Sequence, residues 1–208
     1  KTIDYVDKDS KDYIGYGAHD QVVIEGLKKV LSEKKSNKTL IVLHTMGSHG
    51  PAYFNRYPDT FEKFKPSCKS NEPQSCSIDE LNNSFDNTIL YTDYIISKAI
   101  DILKKEKASQ NFLIYASDHG ESLGENGVYL HAAPIAIAPK EQIHIPMFMW
   151  ASENLKEKRK LVGKNYPTYH ETKSKITHEY LRHTILDFFN LKTLYLDSNK
   201  SMLSLQDN

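Results

Sequence analysis

The chain has 208 residues, enough for one domain with a real core. Lys+Arg and Asp+Glu both number 27, so the net charge is zero and the basic excess that a nucleic-acid groove needs is missing. No apolar run approaches the roughly 18–20 residues of a membrane helix.

Residues 1–18 are rich in Asp, Lys, Tyr and Gly without a clean period and read as loop. A helix is expected from Asp20 to about Lys35, with Val23, Leu27, Val30 and Leu31 on one apolar stripe. Residues 39–43 read as a strand that runs into His44-Thr45-Met46-Gly47-Ser48-His49-Gly50-Pro51. An aromatic segment follows, in which Tyr53, Phe54 and Tyr57 either pack in the loop or meet a lipid or acceptor. Cys68 and Cys76, the only cysteines, share one polar loop with two prolines. Two cysteines cannot close a zinc site. The loop suits a disulfide, and hence an oxidising compartment, or else carries two surface thiols.

Ser77-Ile78-Asp79-Glu80 is a capping box. It predicts a helix to about Lys107, with Leu81, Phe85, Ile89, Thr92, Ile96, Ala99 and Leu103 packed on a sheet. Residues 112–116 read as a buried strand, so strand–helix–strand predicts a parallel crossover. Residues 132–145, with Pro134 and Pro139, are expected as a long loop over the site. A third strand is expected at 146–150, irregular chain at 151–175, and a last helix at 178–189 that Thr177 can cap. Leu181, Ile185, Phe188 and Phe189 would face inward, and the tail after Leu196 is polar.

The chemistry concentrates where two apolar strands end. Of nine histidines, four lie in two loops: His44 and His49 after the first strand, His119 and His131 after the second. In open α/β sheets, ligands sit outside the carboxyl ends of strands. Asp118 and His119 carry zinc-ligating atoms at a strand end; the bland alternative is a turn-capping Asp beside a hydrogen-bonded His. Glu121 either lines the same pocket or starts a helix. His44 reads as structural, while His144, His170, His178 and His183 read as surface or packing residues.

Five features in order carry a resemblance. They are the run from Leu43 to Phe54, the Cys68/Cys76 pair, Tyr91-Thr92-Asp93, the run Ser117-Asp118-His119-Gly120-Glu121-Ser122, and its continuation to His131. Together they resemble the phosphoethanolamine transferases that modify lipid A, a family that includes the mobile colistin-resistance enzymes. The resemblance implies an α/β/α sandwich of the alkaline phosphatase/sulfatase type with a largely parallel central sheet. It implies a periplasmic catalytic domain joined to an amino-terminal membrane domain at the inner membrane, with this chain as its carboxy-terminal portion. It further implies zinc held by Asp118 and His119, His49 and His131 at the phosphoryl group or a second zinc, Glu121 in the same pocket, and a Cys68–Cys76 disulfide.

The family's Glu ligand and its Thr nucleophile have no match here, so the nucleophile is unknown. The donor would be phosphatidylethanolamine, the acceptor lipid A or another envelope group, and the protein a monomer. A sulfatase-like hydrolase, a phosphoglycerol transferase and an inactive metal-binding fragment are the alternatives.

Overall fold

The computed structural model describes residues 19–159 and 176–203. The expected loop at 1–18, most of the expected irregular stretch up to 175, and His170 lie outside the described residues. The chain divides into two compact units, Lys1–Ile102 with His119–Ile145, and Leu103–Asp118 with Pro146–Asn208. No described helix is long and apolar enough to cross a membrane.

In the first unit, α1 (Gln21–Glu33) buries Ile24, Gly26 and Leu27. The expected stripe holds, with Leu27 buried and Val23, Val30 and Leu31 half-buried. The long α2 (Ile78–Lys105) opens on the capping box: Ser77 N–H donates to Glu80 Oε2 at 2.9 Å, and Glu80 N–H to Ser77 Oγ at 3.3 Å.

The buried face of α2 is rotated from the expected one. It presents Leu81, Ser84, Asn87, Thr88, Tyr91, Thr92, Ile95 and Ala99, while Ile89 is 47% exposed. The reason is hydrogen bonding. Asn87 Oδ1 accepts from Lys63 N–H and Phe64 N–H, and Ser84 Oγ donates to the Cys68 carbonyl. Buried polar groups must find partners, and these find theirs in the backbone of the 62–68 loop. Cys68 and Cys76 form the expected disulfide, with Cα atoms 5.8 Å apart. Tyr53, Cys68 and Leu81 centre a core that Phe85, Leu123, Tyr129 and Leu130 complete.

β2 (Ser122–Leu123) and β3 (Tyr129–Leu130) form a short antiparallel ladder that period reading did not find. The expected loop over 132–145 includes a short helix, α3 (Lys140–Ile143), whose Gln142 is buried.

In the second unit, β1 (Phe112–Ala116) pairs with β4 (Met147–Ala151), Ile114 opposite Met149. Both strands stand where expected, but they run antiparallel. The largely parallel sheet is not seen among the described residues, where both ladders are antiparallel. The expected parallel partner at 39–43 is not a strand. Its Leu40 and Val42 are 57% and 80% exposed, and no described strand pairs with it. An apolar run becomes a strand only when a neighbour satisfies its backbone.

Asn111 and Ser152 exchange bonds across the end of the β1–β4 ladder, at 3.0 and 2.9 Å. α4 (Glu153–Lys158) then forms where irregular chain was expected, because Leu155 is buried to 1% exposure. α5 (Glu179–Phe188) is close to its expected span, without a Thr177 side-chain cap. Its most buried side chains are His183 and Thr184. The tail after Leu196 is not simply polar surface. Ser201 Oγ donates to Asp187 Oδ2 at 2.6 Å, and Met202 N–H donates to Thr184 Oγ1 at 2.9 Å.

Candidate metal centre

The first unit brings His49, His119 and His131 together from three separate stretches. One ring nitrogen from each lies within 4.8 Å of the others. The rings of His119 and His131 stack with centroids 4.0 Å apart, and His49 stands edge-on, 4.9 Å from His131 and 6.0 Å from His119.

Each ring is held by its Nδ1. His49 Nδ1 lies 2.6 Å from the Gly50 carbonyl oxygen and His119 Nδ1 lies 3.0 Å from that of Gly120. A carbonyl oxygen can only accept, so both Nδ1 atoms carry the proton and each ring's lone pair is on Nε2. His131 Nδ1 faces Glu121 Oε1 at 2.8 Å. Imidazoles whose Nδ1–H is fixed on an oxygen are the usual form of a metal-binding histidine.

The donor set fits zinc in kind. Zn–N bonds of about 2.0–2.1 Å put tetrahedral nitrogens about 3.4 Å apart. Three rings whose nitrogens already lie within 4.8 Å need about an ångström of closure.

Local sequence explains the convergence. His49 ends a tight turn in which Gly47 has φ +52° and His49 N–H returns to the Met46 carbonyl at 3.1 Å. Arg56 Nε donates to the His49 carbonyl at 2.7 Å. His119 is set by Gly120, whose N–H donates to the Gln142 carbonyl at 2.9 Å. A Cβ at Gly120 would lie 1.9 Å from the Glu141 carbonyl oxygen, so this approach requires glycine. His131 sits between Leu130 and Ala132, both left-handed at φ +64° and +82°.

Glu121 is 8% exposed. Its carboxylate accepts from His131 Nδ1–H, from Gly50 N–H at 3.2 Å and from the Tyr53 hydroxyl at 2.5 Å. It does not start a helix. Burial, and then the bond to Glu121, push the Tyr53 phenol upward. Tyr53 and Tyr57 are 2% and 3% exposed, so they are packing residues and not lipid contacts.

Asp118 is exposed and belongs to the second unit, as the last residue of its 103–118 segment. In that unit His178 Nε2–H donates to the Ser117 carbonyl at 2.7 Å, a tie to the chain just past β1 that the sequence did not signal. His44 is exposed.

Pattern reading also missed Asp20 and Gln142. Asp20 is buried and holds the backbone of Met46 and Gly47. Burial raises its carboxyl above the ordinary range, against those two N–H groups. Gln142 accepts from Ala133 N–H and donates to Ser122 Oγ. Neither residue belongs to a local motif. The one signal the sequence offered was for Asp20, an acidic residue directly before a helix.

A fold of mixed helix and sheet that gathers histidines at loop ends is matched by known proteins. The family model described as Sulfatase matches residues 2–191, and the chain belongs to that family. Within it the similarity runs to phosphoethanolamine transferases. Phosphoethanolamine transferase EptA of Salmonella typhimurium is 51% identical over 141 residues, which is 67% of this chain and 26% of that protein.

The soluble domain of lipooligosaccharide phosphoethanolamine transferase A from Neisseria meningitidis matches with a TM-score of 0.88 at 33% identity, over 99% of this chain and 62% of that one. The C-terminal periplasmic domain of EcEptC from Escherichia coli, in complex with Zn, matches with a TM-score of 0.72 at 25% identity, over 91% and 52%. The chain spans about a quarter to a third of the length of the curated relatives it matches.

Proposed function

We propose that this chain is the carboxy-terminal portion of a periplasmic catalytic domain at the bacterial inner membrane. In this reading the enzyme is a zinc-dependent phosphoethanolamine transferase, and the complete domain is an α/β/α sandwich of the alkaline phosphatase/sulfatase type. The donor is phosphatidylethanolamine and the acceptor is lipid A or another envelope group. The observation that carries the reading is the convergence of His49, His119 and His131, each with its Nδ1 on an oxygen. The names of the relatives and the Zn complex of one of them support it.

In this reading Asp118 and His119 hold zinc, which when bound supplies positive charge beside the phosphoryl oxygens. His49 and His131, each with Nδ1–H held on an oxygen, would offer their Nε2 lone pairs to zinc at the phosphoryl group. Glu121 acts through His131, because both of its oxygens are taken by protein donors.

The chemistry is a phosphoryl transfer in two steps. An enzyme hydroxyl attacks the donor phosphorus as the phosphorus–oxygen bond to diacylglycerol breaks, and the hydroxyl proton passes to the departing oxygen. The acceptor oxygen then attacks the phosphoethanolamine adduct, restoring the hydroxyl. No described residue is assigned the nucleophile.

The test is incubation of the protein that carries this chain with zinc and a fluorescent phosphatidylethanolamine. Diacylglycerol release and a phosphoethanolamine mass on the protein are expected. No adduct with this donor but a glycerophosphate mass when phosphatidylglycerol is supplied in its place, or ester hydrolysis with no adduct, would replace the reading with a phosphoglycerol transferase or a sulfatase-like hydrolase.

A further inference from the structure

Asp20 stands directly before α1, where an aspartate ordinarily accepts bonds from the first helical N–H groups. It makes no such cap. Its oxygens serve chain 26 and 27 residues away: Oδ1 accepts from Met46 N–H at 2.8 Å and Oδ2 from Gly47 N–H at 2.9 Å. The residue is only 6% exposed. Burying a carboxylate is costly unless it is hydrogen-bonded, and capping α1 from a solvated position would have avoided that cost.

What the clasp holds is the turn that delivers His49. Met46 is gripped through its N–H by Asp20 and grips His49 N–H through its own carbonyl at 3.1 Å. Arg56 fixes the far side of the same residue, donating Nε–H to the His49 carbonyl at 2.7 Å. The path from the Asp20 carboxylate to the backbone of His49 is therefore two hydrogen bonds and one residue long.

We propose that Asp20 is a positioning residue of the metal centre, setting the Met46–Gly47 turn and through it the placement of the His49 imidazole. The proposal rests on reading the three histidines as a metal site. It gives a buried acid outside every recognised motif a role that α1 alone does not require.

The experiment is a Co²⁺ titration of the 208-residue chain, followed by visible absorption, in the unaltered protein and in Asp20→Asn, His49→Ala, the double variant and His119→Ala. Asp20→Asn keeps the shape but turns an amide N–H toward one of the two backbone donors. Its Co²⁺ dissociation constant should rise about 10-fold, the lower end of what loss of an outer partner costs a metal site. That rise should vanish in the His49→Ala background, because the effect acts through His49. Equal weakening in both backgrounds, as a merely structural tie would give, overturns the proposal, and so does no weakening.

If Asp20→Asn does not fold, Asp20→Ser takes its place, since serine can still cap α1. If His119→Ala binds Co²⁺ as well as the unaltered chain, the metal reading itself fails. Asp20 is then judged on the imidazole ¹⁵N signals: a shift confined to His49 in the Asp20 variant supports the role, and an unmoved His49 ends it.

Discussion

Glu121 places a carboxylate oxygen 2.8 Å from Nδ1 of His131, with only 4% of its own side chain exposed. The pair fixes which nitrogen of His131 faces the site. Glu121→Gln should disturb this without changing volume. One amide N–H must face a donor, from His131, Gly50 or Tyr53. Zinc affinity should fall by about 10–100-fold, measured by competition with a chromophoric chelator. Unchanged affinity would remove Glu121 from the site's support.

Ala132 is left-handed at φ +82°, directly after His131. An L-residue with a side chain there carries about 1–2 kcal/mol of strain. Replacing it with glycine relieves that strain but adds roughly 0.5–1 kcal/mol of unfolded-state entropy. Ala132→Gly should therefore raise stability by about 1 kcal/mol or less, read as a higher urea midpoint at unchanged slope. A lower midpoint would show that the strain is not present.

Glu62 receives Lys69 Nζ at 2.6 Å, a bond from Ser67 Oγ, and Lys65 at 3.8 Å. The Lys69 bond first, and then the Ser67 bond, hold its carboxyl below the ordinary range. With the folded value depressed, the unfolded chain binds more protons as pH falls. The stabilisation is present above the ordinary glutamate value of about 4.3 and is lost as pH drops through the folded value. Melting temperature across acid pH should fall less steeply in Glu62→Gln. An identical acid limb would show that the cluster is screened by solvent.

The Cys68–Cys76 bridge spans a separation of 8 residues and its Cys68 lies in the core with Tyr53 and Leu81. Loop-closure entropy for a ring of this size gives about 2.5 kcal/mol. Thermal melts with and without reductant should show that loss, and Cys68→Ser/Cys76→Ser should match the reduced protein. A reduced protein as stable as the oxidised one would contradict it.

Local signals were legible and long-range ones were not. The capping box at Ser77 and the apolar run at 112–116 are written in adjacent residues, and both appear where expected. Three of the four histidines in the two loops come together because both loops turn on short glycine-bearing stretches. The buried face of α2 could not be read, because Ser84 and Asn87 are buried by partners 16 to 24 residues away. Apolar spacing instead favoured Ile89, which is exposed. Residues 39–43 have strand composition but no described strand beside them, and direction of pairing is not encoded in a single run. Asp20 was invisible for the same reason, since its partners are in another loop.

The most direct test is the zinc content of the purified chain after dialysis, by elemental analysis, beside His119→Ala. The account predicts about one zinc per chain in the unaltered protein and its loss in the variant. No zinc in either protein, or equal zinc in both, would contradict a metal centre at His119.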